Sequence, residues 1–567
     1  MERLINRLRH ITSETLCLFC SMFFMLSVQN VTAEKPQIMQ WSAADMLPFG
    51  NDISILRYGA YGSGAYPQRI NLPGSCVRVR IDGVPLPSLS PFGPDLELIP
   101  SAFIDSVDCT DGSAINIYTR TMDSEIPETE TNFLLGQRRR FGLQAVMERP
   151  MSPSSFIIFG GSSNGTHSDK FSETNSYRSY FTKYQRMLES GGSLFFTAIA
   201  LRDRDGLRDL SAQDHMGERE TDLITITTGI KSYRLTSRTT ISPIVYYRSG
   251  ISRIDRYNLE KSLDDDAAGF SVISSTQRGN TSFDVSLTSD SRFIDSRLHE
   301  NSWTYNDTRL TGTWKWMGNR FRYIAGGGII RSSEYGTGGQ GESELAFKLT
   351  PSTEYSVHGT LSEEAPGGGY EIYPSLVFSD TTLVSDLDLY RFIEIESGFT
   401  MKRILLTYGI SGFNTIGKQP AYNPGTSSVN ISDKETFSGV KLTVSTNEKE
   451  KYRSDFTMRY INSSHMENIW PVPRLEIISQ TKLTKEFVHN KLHATVLCNA
   501  HVSSWNNGPT SPDGTSLYLD SGIAIKVLSL SLFYMVENIT GENTEWFDVL
   551  QWQGRNAMWG VRWKLEN

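Results

Sequence analysis

The chain has 567 residues, 38% of them hydrophobic, and a formal net charge of −8, a balance that argues against nucleic acid as a partner. Two of its five cysteines fall in the first 20 residues, leaving Cys76, Cys109 and Cys498, too few for a disulfide scaffold. Beyond the N-terminus no apolar run approaches the ~18 residues of a membrane helix.

Arg3, Arg7 and Arg9 precede an apolar block from Leu16 to Val28, and the small-residue pattern Val31-Thr32-Ala33 follows. This is the design of a secretory signal peptide, residues 1–33, with cleavage after Ala33. An exported chain without later helical spans is either soluble or a membrane β-barrel, whose strands escape hydropathy analysis. Residues 34–43 are expected to form a periplasmic N-terminal segment. Its run Ile38-Met39-Gln40-Trp41 has some β character but little alternation and reads as a mobile terminus.

Residues 44–122 form a separate unit whose best-ordered stretch is "VRVRIDGVPLPSLSPFGPDLELIPSAFIDSVD", residues 77–108. Val77, Val79 and Ile81 make one apolar strand face, and Arg78, Arg80 and Asp82 share the other. Asp82-Gly83 suits a turn that needs positive φ. Pro100 is tolerated in a first helical turn, so a short helix is expected from Ile99-Pro100. A strand–helix–strand crossover would make the strands of this stretch parallel neighbours. Cys76 and Cys109 would then lie ~15 Å apart at the strand rise per residue, too far for a disulfide.

Residues 123–130 read as a linker and 131–567 as strands. In "TSFDVSLTS", Phe283, Val285 and Leu287 share one face and Asp284 and Ser286 the other. "TGTWKWMGNRFRYIAGGGII" and "SELAFKLTPSTEYSVHGTL" read as hairpins with tight connections at Met-Gly-Asn and Pro-Ser-Thr. The stretches "LRDRDGLRDLSAQDHMGERETD" and "YEIYPSLVFSDTTLVSDLDL" read as long polar loops. Short turns at one end and long loops at the other characterise outer-membrane barrels. A soluble sandwich array or propeller would show a fixed repeat period, which the sequence lacks. The expected fold is mainly β: a large transmembrane antiparallel barrel of about 20–22 strands with a small N-terminal α+β plug in its lumen.

Few residues suggest chemistry. "RDRDGLRD" and Asp264–Asp266 could share a hard cation, but charge runs in loops are usually solvated. His215, Glu218 and Glu220 have no second histidine at ligand spacing. No motif places a nucleophile and its base. The reading is therefore no catalytic residues, no cofactor, no metal and no enzyme.

The plug stretch, with "GSAINIYTR" after it, resembles the plug of TonB-dependent outer-membrane receptors. The matching parts are Asp82-Gly83-Val84-Pro85, Ile99-Pro100, the strand Ile104-Asp105-Ser106-Val107-Asp108 and the closing strand Ile115–Arg120. Further along, "FIEIESGFTMKRILLTYGISGFNTI", "FSGVKLTVSTN", Val536 with Asn538, and a last strand bearing Trp559, Val561, Trp563 and Leu565 resemble that family's closing barrel strands. The resemblance implies a plug-gated channel or transporter for a small solute in the cell outer membrane, in contact with its lipid. It also implies a plug motif on Arg78, Arg80, Asp82, Gly83, Pro85, Ile99, Pro100 and Asp105, with plug arginines seated on barrel carboxylates. Two departures stand out. The family's Arg-Gly-Pro and Leu-Tyr-Gly segments are missing, and no Thr-Val-rich box offers itself to TonB, which the resemblance leaves as a possible partner only, through a diverged box at Ile38–Trp41. The alternative is a structural or adhesive barrel whose residual plug only seals the pore.

Overall fold

The structure, a computed structural model, describes residues 40–566 apart from internal segments, the longest being 365–382, 505–514 and 464–472. The expected signal peptide, Cys76 and His215 lie outside the described residues.

The second part of the chain closes into one antiparallel barrel of 22 strands, from Glu128–Gly136 to Asn556–Glu566. These two strands pair to seal the ring, with Phe133 opposite Val561 and Glu128 opposite Glu566. Period-two alternation builds the wall. Phe283, Leu310, Ile395 and Trp559 stand exposed on the outer face, while their neighbours in sequence turn inward. A continuous apolar outer surface is unfavourable in water and is satisfied by lipid. No described helix is long and apolar enough to cross a membrane.

Both expected hairpins form. Asn301–Met317 meets Phe321–Ser332, and Gly336–Thr350 meets Thr353–Glu364. Aromatic pairs cluster beside their turns: Trp314 on Tyr323 at 5.4 Å, Phe321 on Phe347 at 4.6 Å and Tyr355 on Phe399 at 4.8 Å. Such rings belong where bilayer meets water. The longest connections, 365–389, 418–434 and 538–555, all lie at the opposite end.

The stretch 201–222 differs from its reading as a loop. Strands Ser193–Arg208 and Met216–Lys231 run through most of it. Asp264–Asp266 likewise sit within the strand Leu259–Arg278. Charged residues on both faces look like loop in sequence, yet cross-strand ion pairs let the ladder continue into water.

The N-terminal unit has two small sheets. The hairpin of β1 (Ile53–Arg57) and β2 (Ala65–Arg69) stands beside a four-stranded sheet of β3 (Arg78–Ile81), β4 (Val84–Pro85), β5 (Ile104–Asp111) and β6 (Ala114–Thr119). The order is β4-β3-β6-β5, with β3 parallel to β6 and β5 antiparallel to it. The expected parallel neighbours β3 and β5 are therefore not adjacent. β6 turns back directly from β5, Asp111 facing Ala114, and occupies the slot between them. Asp82 and Gly83 take φ of 49° and 88°, closing a two-residue hairpin between Ile81 and Val84. The expected helix shrinks to one 3-10 turn, Ser101–Phe103, which Pro100 precedes in extended conformation.

A second 3-10 turn, Ala43–Met46, is held by Asp45, whose Oδ2 accepts the Trp41 and Ser42 N–H groups at 2.8 and 3.1 Å. Trp41 is only 5% exposed and Ala43 is buried, so residues 41–43 of the expected periplasmic segment belong to the plug core. At the other boundary, barrel strand β7 (Glu128–Gly136) takes in the last three residues of the expected linker, because Lys564 and Arg562 pair with Glu128 and Glu130 across the closing seam.

Candidate functional site

The plug meets one side of the barrel wall, chiefly β7, β8 (Phe141–Ser152), β9 (Ser155–Thr166), β10 (Asn175–Met187), β11 (Ser193–Arg208), β12 (Met216–Lys231) and the strand Thr239–Arg256. Inward-facing glycines make room for it. Trp41 lies where a Gly142 side chain would project, Phe103 is 2.9 Å from a Cβ built on Gly160, and Leu89 is 2.9 Å from one built on Gly250. Phe103 also stacks on Phe181, ring centroids 5.1 Å apart. These contacts are dry and depend on shape.

Among the described residues, five polar anchors fasten the seam. Gln144 of β8 donates from Nε2 to the Trp41 carbonyl at 2.7 Å, and its Oε1 accepts the Ala102 N–H at 3.3 Å. Lys183 of β10 donates to Thr119 Oγ1 at 2.7 Å and pairs with Asp82 at 3.4 Å. Arg248 donates to the Pro85 carbonyl at 2.7 Å while Asp265, itself held by Arg292 at 2.5 Å, balances its charge from 3.3 Å. Arg120, following β6, reaches Glu130 at 2.6 Å and Glu148 at 3.1 Å.

The densest anchor surrounds Arg219 of β12. Its Nη1 donates to the Tyr66 hydroxyl at 2.5 Å. Its Nη2 pairs with Asp205, with Asp203 at 3.3 Å and with Asp95 of the plug at 3.8 Å. One guanidinium thus serves three carboxylates, two from the barrel wall and one from the plug. Burial pushes the Asp95 carboxyl up to about 6, against the opposing pull of Arg219 and of the Ala65 and Glu97 N–H groups. Burial likewise raises the Tyr66 hydroxyl well above its ordinary range.

The motif residues take different roles here. Arg78 and Arg80 occupy the half-buried face of β3, alternating with the buried Val79 and Ile81. Asp82 accepts the Thr119 N–H at 2.9 Å and meets Lys183, so it closes the β3–β4 turn and binds the wall. Gly83 lies against Ile244, and a Cβ there would stand 3.2 Å from that side chain. Pro85 supplies its carbonyl to Arg248. Ile99 is buried, and Pro100 bridges to Ser42. Asp105 is exposed.

Arg120, which the sequence reading did not single out, is seated on the barrel carboxylates Glu130 and Glu148. At Asp82 and Asp95 the signs are reversed: the plug supplies the carboxylate and the barrel the cation. Sequence reading missed Trp41, Tyr66, Asp95, Arg120, Gln144, Lys183, Arg219 and Arg248. The only signal for the barrel cations was a charge at an inward position of an alternating strand. Among the described residues, no group of three His, Cys, Asp or Glu side chains gathers in metal-binding geometry.

No protein-family model and no curated protein matches the sequence. Solved structures do match its fold. The FrpB iron transporter from Neisseria meningitidis superimposes with a TM-score of 0.74 at 11% identity, covering 94% of this chain and 98% of that one. The copper transporter OprC gives 0.72 at 12% identity, covering 93% and 96%. The siderophore receptor PirA from Acinetobacter baumannii gives 0.68 at 10% identity, covering 96% and 97%. The chain therefore has the fold of the TonB-dependent receptors, a closed 22-strand barrel with a small N-terminal mixed sheet. Each of these neighbours is a transporter or receptor, and none is an enzyme.

Proposed function

We propose that the protein is a receptor-type transporter of the cell outer membrane, in which displacement of the plug admits a small solute. The observation that carries this reading is the seam. Its apolar contacts fit closely, but its attachment concentrates on a few buried ionic anchors, and an attachment of that kind opens when those anchors are disturbed. Residues 44–122, extended by Trp41–Ala43, act as the gate, and the short-turn end faces the periplasm. The neighbours transport iron and copper or receive siderophores, which makes a metal ion or metal complex the first solute class to examine.

Coupling to TonB is not part of the proposal, because the segment from Trp41 onward is committed to the barrel wall and no Thr-Val-rich box precedes it. Titrating the purified full chain with ferric iron, cupric ion and ferric siderophores, followed by tryptophan fluorescence, tests the solute class. Saturable binding of one of them is expected. No response to any would favour the alternative, a structural or adhesive barrel with a sealing plug.

A further inference from the structure

At the short-turn end, large apolar side chains stand exposed on the turns and at the strand ends beside them. Ile404 is 90% exposed, Leu528 66%, Met151 65%, Leu235 63% and Phe487 56%. Cations accompany them. In the described connections of this end the cations Arg238, Arg320, Arg403 and Lys491 stand against the carboxylates Glu125 and Glu189, and Arg234 adds a further cation from the short strand Tyr233–Arg234. Just inside one strand end, Lys485 lies 5.3 Å above the Phe487 ring.

Two arguments identify what covers this rim. The apolar tips continue the lipid-facing band: outward-facing Ile523, Ile525 and Val527 lead directly into Leu528. The tips also encircle the barrel. Met151, at the end of β8, and Ile404, on the turn after Tyr390–Lys402, lie near opposite sides of the ring, so one folded partner would have to span the barrel to reach both. A lipid leaflet surrounds the ring without that difficulty, and the excess of arginine and lysine selects its charge.

We infer that the short-turn rim is a binding surface for anionic phospholipid, its apolar tips entering the headgroup layer and its cations neutralising the phosphates. The inference rests on the barrel lying in a bilayer, but not on what the channel carries. The probe is the full chain in nanodiscs of mixed phosphatidylglycerol and phosphatidylcholine, with retained lipid counted by native mass spectrometry. Each cation at an anionic surface is worth about fivefold in affinity. Phosphatidylglycerol is therefore expected to be retained over phosphatidylcholine by tenfold or more, falling as salt rises. The triple variant R234Q/R320Q/R403Q is expected to bring the two lipids close to parity while keeping its heat-modifiable gel shift, which shows that it has folded. Equal retention by the parent chain, or an undiminished preference in the folded triple variant, would overturn the inference. Failure to enter phosphatidylcholine nanodiscs at all would instead overturn the barrel reading beneath it.

Discussion

Replacing Arg219 with methionine removes the cation from the densest anchor while keeping much of its bulk. Asp203, Asp205 and Asp95 are then left at the seam without their guanidinium, and Tyr66 loses its 2.5 Å donor. Stripping one partner from a buried pair costs about 3–5 kcal/mol, enough to shift a docked plug toward release by two orders of magnitude or more. The effect depends on pH. Burial raises Asp95 from 3.8 to about 6, so the docked plug retains a proton that the released plug has lost. Docking is at full strength below about pH 4 and weakens as the pH rises through about 6. A rise of that size corresponds to about 3 kcal/mol. Without Arg219 the Asp95 carboxyl rises further. R219M should therefore be leaky and its plug open to protease at pH 7.5, with recovery at pH 5 or on adding Asp95→Asn. Single-channel current and limited proteolysis at the two pH values read this out. A variant that stays closed and protease-resistant at pH 7.5 would refute the role given to Arg219.

Phe103→Ala removes the ring stacked on Phe181 and should cost plug docking about 3–5 kcal/mol, seen as a lower denaturant midpoint for plug release. Gly160→Leu should displace Phe103 from its niche and give the same phenotype from the barrel side. Gly83→Val forces a branched side chain into φ of 88°. That costs about 1–2 kcal/mol and should loosen the β3–β4 hairpin in hydrogen exchange. A peptide spanning residues 34–50 should show no affinity for a TonB C-terminal domain by calorimetry; micromolar binding, lost on replacing Ile38 and Trp41 with proline, would contradict the reading of the N-terminus.

The sequence displays what is local. Alternation through Phe283, Val285 and Leu287 announces a wall with one apolar face, and Asp82-Gly83 announces its turn. The last strand, with Trp559 and Trp563 on one side, is legible as the closing strand only through its resemblance to the receptor family. What it conceals is pairing at a distance. Lys183 is 101 residues from Asp82, and Arg219 is 153 residues from Tyr66; only barrel closure brings them together. The same limit hid β6 between β3 and β5, since apolar faces fix which side of a strand is buried but leave its neighbour open. Length misled in the stretch 201–222, where salt-bridged strands carry charges on both faces beyond the apolar band. Trp41 looked like part of a free terminus because nothing local shows that Gly142 leaves space for its ring.

The central claim is that residues 41–122 close the lumen and that their displacement opens it. Planar-bilayer recording of the intact chain beside a chain lacking residues 41–122 tests this most directly. The account predicts low, intermittent current from the intact protein and a large, steady conductance from the deletion. Equal conductance from two correctly folded barrels would contradict it.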